Sequence, residues 1–93
     1  MLKVEVGFLY RIGALTTEEV KPADGKKFKL EELQKLVGGY IEAVPYANPV
    51  AYCNEEGRLN NLLFNELASG AFKQFLVGDV IQVRKQRGHD YGE

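Results

Sequence analysis

The sequence predicts an α+β domain: a small antiparallel-rich sheet of about four to five strands, with one or two short helices packed on one face. Three observations carry this. Leu2, Val4, Val6, Phe8, Tyr10 and Ile12 recur at every second position, the period of a half-buried strand. From Leu30 the spacing changes to Leu30, Leu33, Leu36 and Val37, the one-sided stripe of a helix. After Gly38 and Gly39, short apolar runs return, separated by turn residues.

The opening alternation, with Lys3, Glu5, Gly7 and Arg11 between the apolar positions, gives the clearest strand. Thr16, Thr17 and Val20 suggest a weaker second strand, closed by Pro22, Asp24 and Gly25. The helix that follows carries Glu31 and Glu32 in its first turn, where carboxylates complement the dipole. Lys29 stands where a Ser, Thr or Asp cap would satisfy the free amides. Its end is marked by Gly38-Gly39, because helices commonly stop at a left-handed residue.

Residues 40–46, YIEAVPY, and 50–53, VAYC, read as two strands joined by a short connection, an antiparallel hairpin. Asn54-Glu55-Glu56-Gly57 has turn chemistry and is expected to return the chain into a short pairing around Arg58 and Leu59. In NNLLFNELASGAFKQF, Leu63, Phe64, Leu67, Ala68, Ala71, Phe72 and Phe75 keep helical spacing, with Asn60, Asn61 or Asn65 available as caps and Gly70 as a weak point. Gly78-Asp79 turns into a last strand with Ile81 and Val83 inward. The expected organisation is one domain over residues 1–84 and a polar tail over 85–93.

With 93 residues, the chain has room for one modest core. Twelve basic and thirteen acidic side chains leave a formal net charge of −1, so no global field draws it to nucleic acid or an anionic membrane. One cysteine, Cys53, excludes an intrachain disulfide and a cysteine zinc cage. With no unbroken apolar leader and no stretch near the roughly 18 residues of a membrane span, a cytoplasmic home is expected.

Few motifs suggest chemistry. The glycine pair follows a helix and precedes a strand, the reverse of a phosphate loop. Glu42, Glu55, Glu56 and Glu66 match no calcium-loop spacing. Cys53 and the single histidine, His89, would need ordered neighbouring positions to act as a couple, and His89 falls in the expected tail. Neither catalytic residues, nor a cofactor, nor a metal is expected. The basic run Arg84, Lys85, Arg87 is the sole candidate for nucleic-acid contact. Tyr40, Tyr46 and Tyr52 fall on the predicted hairpin beside Asn54 and Arg58, and these five form the candidate partner-binding set.

The blocks EELQKLVGGYIEAVP, CNEEGRLNNL and VGDVIQV, over about residues 28–83, resemble a family of small proteins carried by phages, plasmids and bacteria, domain of unknown function 3846. Where that pattern has a Thr-type cap and a Pro-Asn pair, this chain has Lys29 and Phe64-Asn65. The resemblance implies no catalytic residue, only a setting in mobile elements, where small non-enzymatic proteins bind and block host components. The expectation is a protein-binding accessory or inhibitor, host defence being one target, homodimeric through an uncovered sheet face or edge. A small-ligand or nucleotide-sequestering protein is the alternative.

Overall fold

Alternation near the amino end of the chain and the buried run Val80–Val83 near its other end produce the two long strands that form the centre of the sheet. The structure, a computed structural model, describes residues 3–87. In chain order it contains β1 (Lys3–Tyr10), β2 (Glu18–Val20), α1 (Leu30–Val37), β3 (Ile41–Ala43), β4 (Ala51–Asn54), α2 (Glu66–Phe72) and β5 (Val80–Arg87). The five strands form one antiparallel sheet in the order β2-β1-β5-β4-β3. The α+β class and the antiparallel sheet are as the residue periods indicate.

β1 and β5 pair along their full lengths, from Tyr10 opposite Val80 to Lys3 opposite Arg87. Consecutive residues of a strand point to opposite faces, and both faces here are apolar. Leu9, Ile81 and Val83 join Phe28 and the α1 residues Leu33 and Val37 in one core cluster. Val80 joins Ala51, Val44, Leu76 and the α2 residue Ala68 in another, with Tyr10 and Phe72 packed against it. The two helices are therefore divided between the faces of the sheet instead of sharing one. A chain with apolar side chains on both sides of its central strand needs cover on both.

Local chemistry explains the helix boundaries. At Lys29 no side chain caps the first amides; Glu32 instead reaches back from inside α1, its Oε2 accepting the Lys29 N–H at 3.0 Å and its Oε1 the Ala23 N–H at 2.8 Å. The glycine pair has two distinct jobs. Gly38 takes φ +80°, the left-handed stop of α1, and its N–H bonds to the Gln34 carbonyl. Gly39 lies against the Asn54 side chain, where a Cβ would come within 2.9 Å of Nδ2. α2 is capped by Asn65 and stopped by Lys73 at φ 55°, and Gly70 inside it does not interrupt it.

Four expectations shift. Of the second strand only Glu18–Val20 pairs, opposite Gly7 to Leu9. The third strand stops at Ala43, and Tyr46 already has positive φ. Residues 55–61 are consecutive turns, with Asn60 N–H bonded to the Glu56 carbonyl, so no pairing forms around Arg58 and Leu59; the bridge there is Phe64 to Val77. Finally, residues 85–87 continue β5, because β1 is long enough to pair with them. His89 and the rest of the expected tail lie outside the described residues.

Candidate functional site

The hairpin tyrosines do not gather into one patch. Tyr40 and Tyr46 are exposed but flank β3 at its opposite ends. Tyr52 sits on β4 opposite Ala43, partly buried against the α1-side core. Odd and even positions of β4 serve different faces, so Tyr52 is drawn inward with Ile41.

Asn54 is also a structural residue, at 7% exposure. Its Nδ2 donates to the Val37 carbonyl at 3.2 Å, satisfying an orphan group at the end of α1, and its Oδ1 accepts the Glu56 N–H at 2.8 Å. Each end of the amide thus holds a bond inside the protein. The turn expected at Asn54 is present, and the side chain that was a candidate for a surface is largely enclosed.

Arg58 is exposed, and it marks a surface that the hairpin reading missed. Its guanidinium lies 5.2 Å from the centroid of Phe75. Phe75 in turn stacks on Phe64, centroids 5.3 Å apart at 29°. Both rings remain open to solvent, Phe64 by 49% and Phe75 by 59%, and Leu59 by 81%. The helical spacing places Phe64 and Phe75 within a longer helix. Because Asn65 is the cap, Phe64 precedes α2, and Phe75 follows the left-handed stop at Lys73. Reading Asn65 as the cap would have placed Phe64 outside the helix, whereas Phe75 is excluded by the stop at Lys73, a non-glycine residue that gives no such cue.

A groove of about 350 Å³ runs beside this surface, lined among others by Glu42, Cys53, Arg58, Leu59, Gln74 and Phe75. The carboxylates do not form a cluster in it: Glu42 and Glu55 line it, Glu56 borders a separate depression, and Glu66 lies by another. Among the described residues no group of three or more His, Cys, Asp or Glu is placed to hold a metal ion. Among the described residues no helix is long and apolar enough to cross a membrane.

Cys53 is half-buried in the wall of the groove and its Sγ contacts the Glu42 carbonyl at 3.7 Å. Burial raises its thiol pKa, and the Glu42 carboxylate adds to the effect. The reactive species is the thiolate, so the groove does not activate this sulfur. Iodoacetamide at pH 8 is expected to alkylate Cys53 several-fold more slowly than free cysteine, followed by intact mass. A rate equal to or above that of free cysteine would refute this description of its surroundings.

No curated relative and no solved structure matches this chain. A family model does, over residues 11–92, which takes in the helix stop, the Asn54 turn, the aromatic pair and four of the five strands, β1 lying before it. On that match the chain belongs to the family described as Domain of unknown function (DUF3846).

Proposed function

We propose that this chain is a small non-enzymatic protein-binding module that engages its partner through the surface formed by Arg58, Leu59, Phe64 and Phe75. The observation that carries the reading is the stacked phenylalanine pair, left half-exposed with an arginine over it. A chain of this size gains most by burying its large apolar rings, and exposed aromatic groups beside an arginine have the composition of an interface centre. In the mobile-element setting that the family resemblance implies, the partner would be a host protein, and binding would block it.

The test compares the wild-type chain with Phe64→Ser/Phe75→Ser and with Tyr46→Ser, each immobilised in host lysate after circular dichroism has confirmed folding. A polypeptide retained by wild type and Tyr46→Ser but lost from the double variant is expected. Identical capture by all three would overturn the reading. Light scattering on the free chain distinguishes a second copy as the partner, since a dimer made by this surface would dissociate in the double variant.

The groove supports a second reading, a small-ligand site. Arg58 is one cation among Glu42 and Glu55, a poor balance for a nucleotide phosphate. A nucleotide present at about 100 times its dissociation constant should stabilise the fold by roughly 2.7 kcal/mol. Absence of a thermal shift across a nucleotide panel would dispose of this reading.

A further inference from the structure

β5 is longer than its neighbour on one side. β1 pairs with it along its whole length, whereas β4 meets only Ile81 and Gln82, and the final bond on that side runs from Val83 N–H to the Val50 carbonyl at 2.9 Å. Among the described residues nothing pairs with residues 84–87 on the β4 side, and all of them are exposed.

The direction of the free groups follows from the ladder. In an antiparallel pair, alternate residues turn both their N–H and C=O to the same neighbour. Val83 turns its N–H to β4, so Lys85 and Arg87 turn theirs the same way, into the open edge. The far side of β1 agrees: Glu5, opposite Lys85, sends its N–H outward to the Lys26 carbonyl at 2.7 Å. The edge is also basic. Arg84, Lys85 and Arg87 are concentrated on it in a chain of net charge −1, and Arg84 rests 5.2 Å from the centroid of Phe8, which holds its charge near the sheet.

We propose that the open edge of β5, at Lys85 and Arg87, takes an extended acidic segment of a partner protein as an added strand. Its backbone would complete the free N–H and C=O groups, and its carboxylates would lie opposite Lys85, Arg87 and Arg84. Charge selects this occupant over the others. A second copy pairing edge to edge would set Lys85 against Arg87, like charges in direct opposition. A nucleic acid could use the cations but has no strand backbone to match the outward amides. This site is separate from the Phe64–Phe75 surface, and neither proposal depends on the other.

The test is amide NMR of the full chain titrated with a short capped peptide alternating glutamate and valine. Saturable shifts centred on the Lys85 and Arg87 amides are expected, together with slowed hydrogen exchange at both. The same peptide N-methylated at alternate residues should bind about tenfold more weakly or worse, because it keeps the charge and loses the donors. Lys85→Glu/Arg87→Glu should reduce wild-type affinity by about tenfold as well. No shift with the acidic peptide would overturn the proposal, leaving the charges as a guard against edge-to-edge association. Equal binding of the N-methylated peptide would overturn it as mere charge attraction, and stronger binding of an oligothymidine would assign the edge to nucleic acid. The N-methyl comparison uses wild-type protein, so it stands whether or not the charge-reversed variant folds.

Discussion

Replacing Asn65 by alanine is expected to lower the unfolding free energy by about 3 kcal/mol, a large fraction of the stability of a domain this small. Asn65 is fully buried, and its amide joins three parts of the chain. Oδ1 accepts the Ala68 N–H at 2.9 Å and caps α2, while Nδ2 donates at 2.8 Å to both the Tyr10 and the Gly78 carbonyls. Loss of the cap alone costs about 1 kcal/mol. Two carbonyls at the β1 and β5 ends of the sheet would also lose their donor, at about 1 kcal/mol or more each when no water replaces it. Urea denaturation followed by far-ultraviolet circular dichroism measures the change; a loss below about 1 kcal/mol would mean that the two carbonyl bonds contribute nothing.

Asn65→Asp separates the cap from the bridge. The carboxylate keeps the acceptor for Ala68 but turns an oxygen toward two carbonyl oxygens, in a site without solvent. Burial and those carbonyls disfavour the charged form, which places its folded pKa above the unfolded value of about 3.9. The folded state then binds more protons than the unfolded one, so stability falls as pH rises through that interval. Relative to wild type, Asn65→Asp should be least stable at neutral pH and recover toward acid. A difference from wild type that stays constant between acid and neutral pH would refute this account.

Ile81→Ala is expected to be equally severe, at about 2–5 kcal/mol. Ile81 has no exposure and sits on the central strand, paired with Leu9 on one side and Tyr52 on the other. It lies in the cluster with Phe28, Leu33, Val37 and Val83, so truncation opens a cavity between α1 and the sheet that a small core cannot close. Ile81→Val, which removes one methylene, should cost about 1 kcal/mol. A midpoint shift at constant urea slope would show that native stability changed rather than the unfolded ensemble. Near-equal losses for the two variants would mean that the α1 face is loosely packed.

Much of the fold is legible in the residue order because strands and helices carry their periods locally. β1, α1, the hairpin and β5 are all visible in the spacing of apolar residues, as is the helix stop at Gly38. Shorter elements are less so. β2 forms because β1 has a free edge beside Gly7 to Leu9, and nothing in Glu18–Val20 itself requires a strand. The end of β5 is similar, since a polar RKQR run reads as a tail until a partner strand of equal length is placed beside it.

The candidate site was less accessible. Tyr40, Tyr46 and Tyr52 are neighbours in the sequence, but alternation and a turn send them to different places. Asn54 and Asn65 read as turn and cap residues, which they are, and only the folded chain shows that their second hydrogen-bonding groups join distant segments. Phe64 fits a helical stripe until Asn65 is chosen as the cap, and Phe75 until the helix is stopped at Lys73.

By itself, the sequence determined the α+β class, the central strands, the helix stop and the exclusion of a disulfide or cysteine-based metal cage, because these depend on local period, special backbone conformations and residue counts. Only the tertiary structure decided which polar side chains are enclosed, which aromatic rings are left outside and where β5 is left without a neighbour. Those outcomes depend on which segments meet across the chain, and the free energy of a buried amide or an exposed ring is set by that meeting.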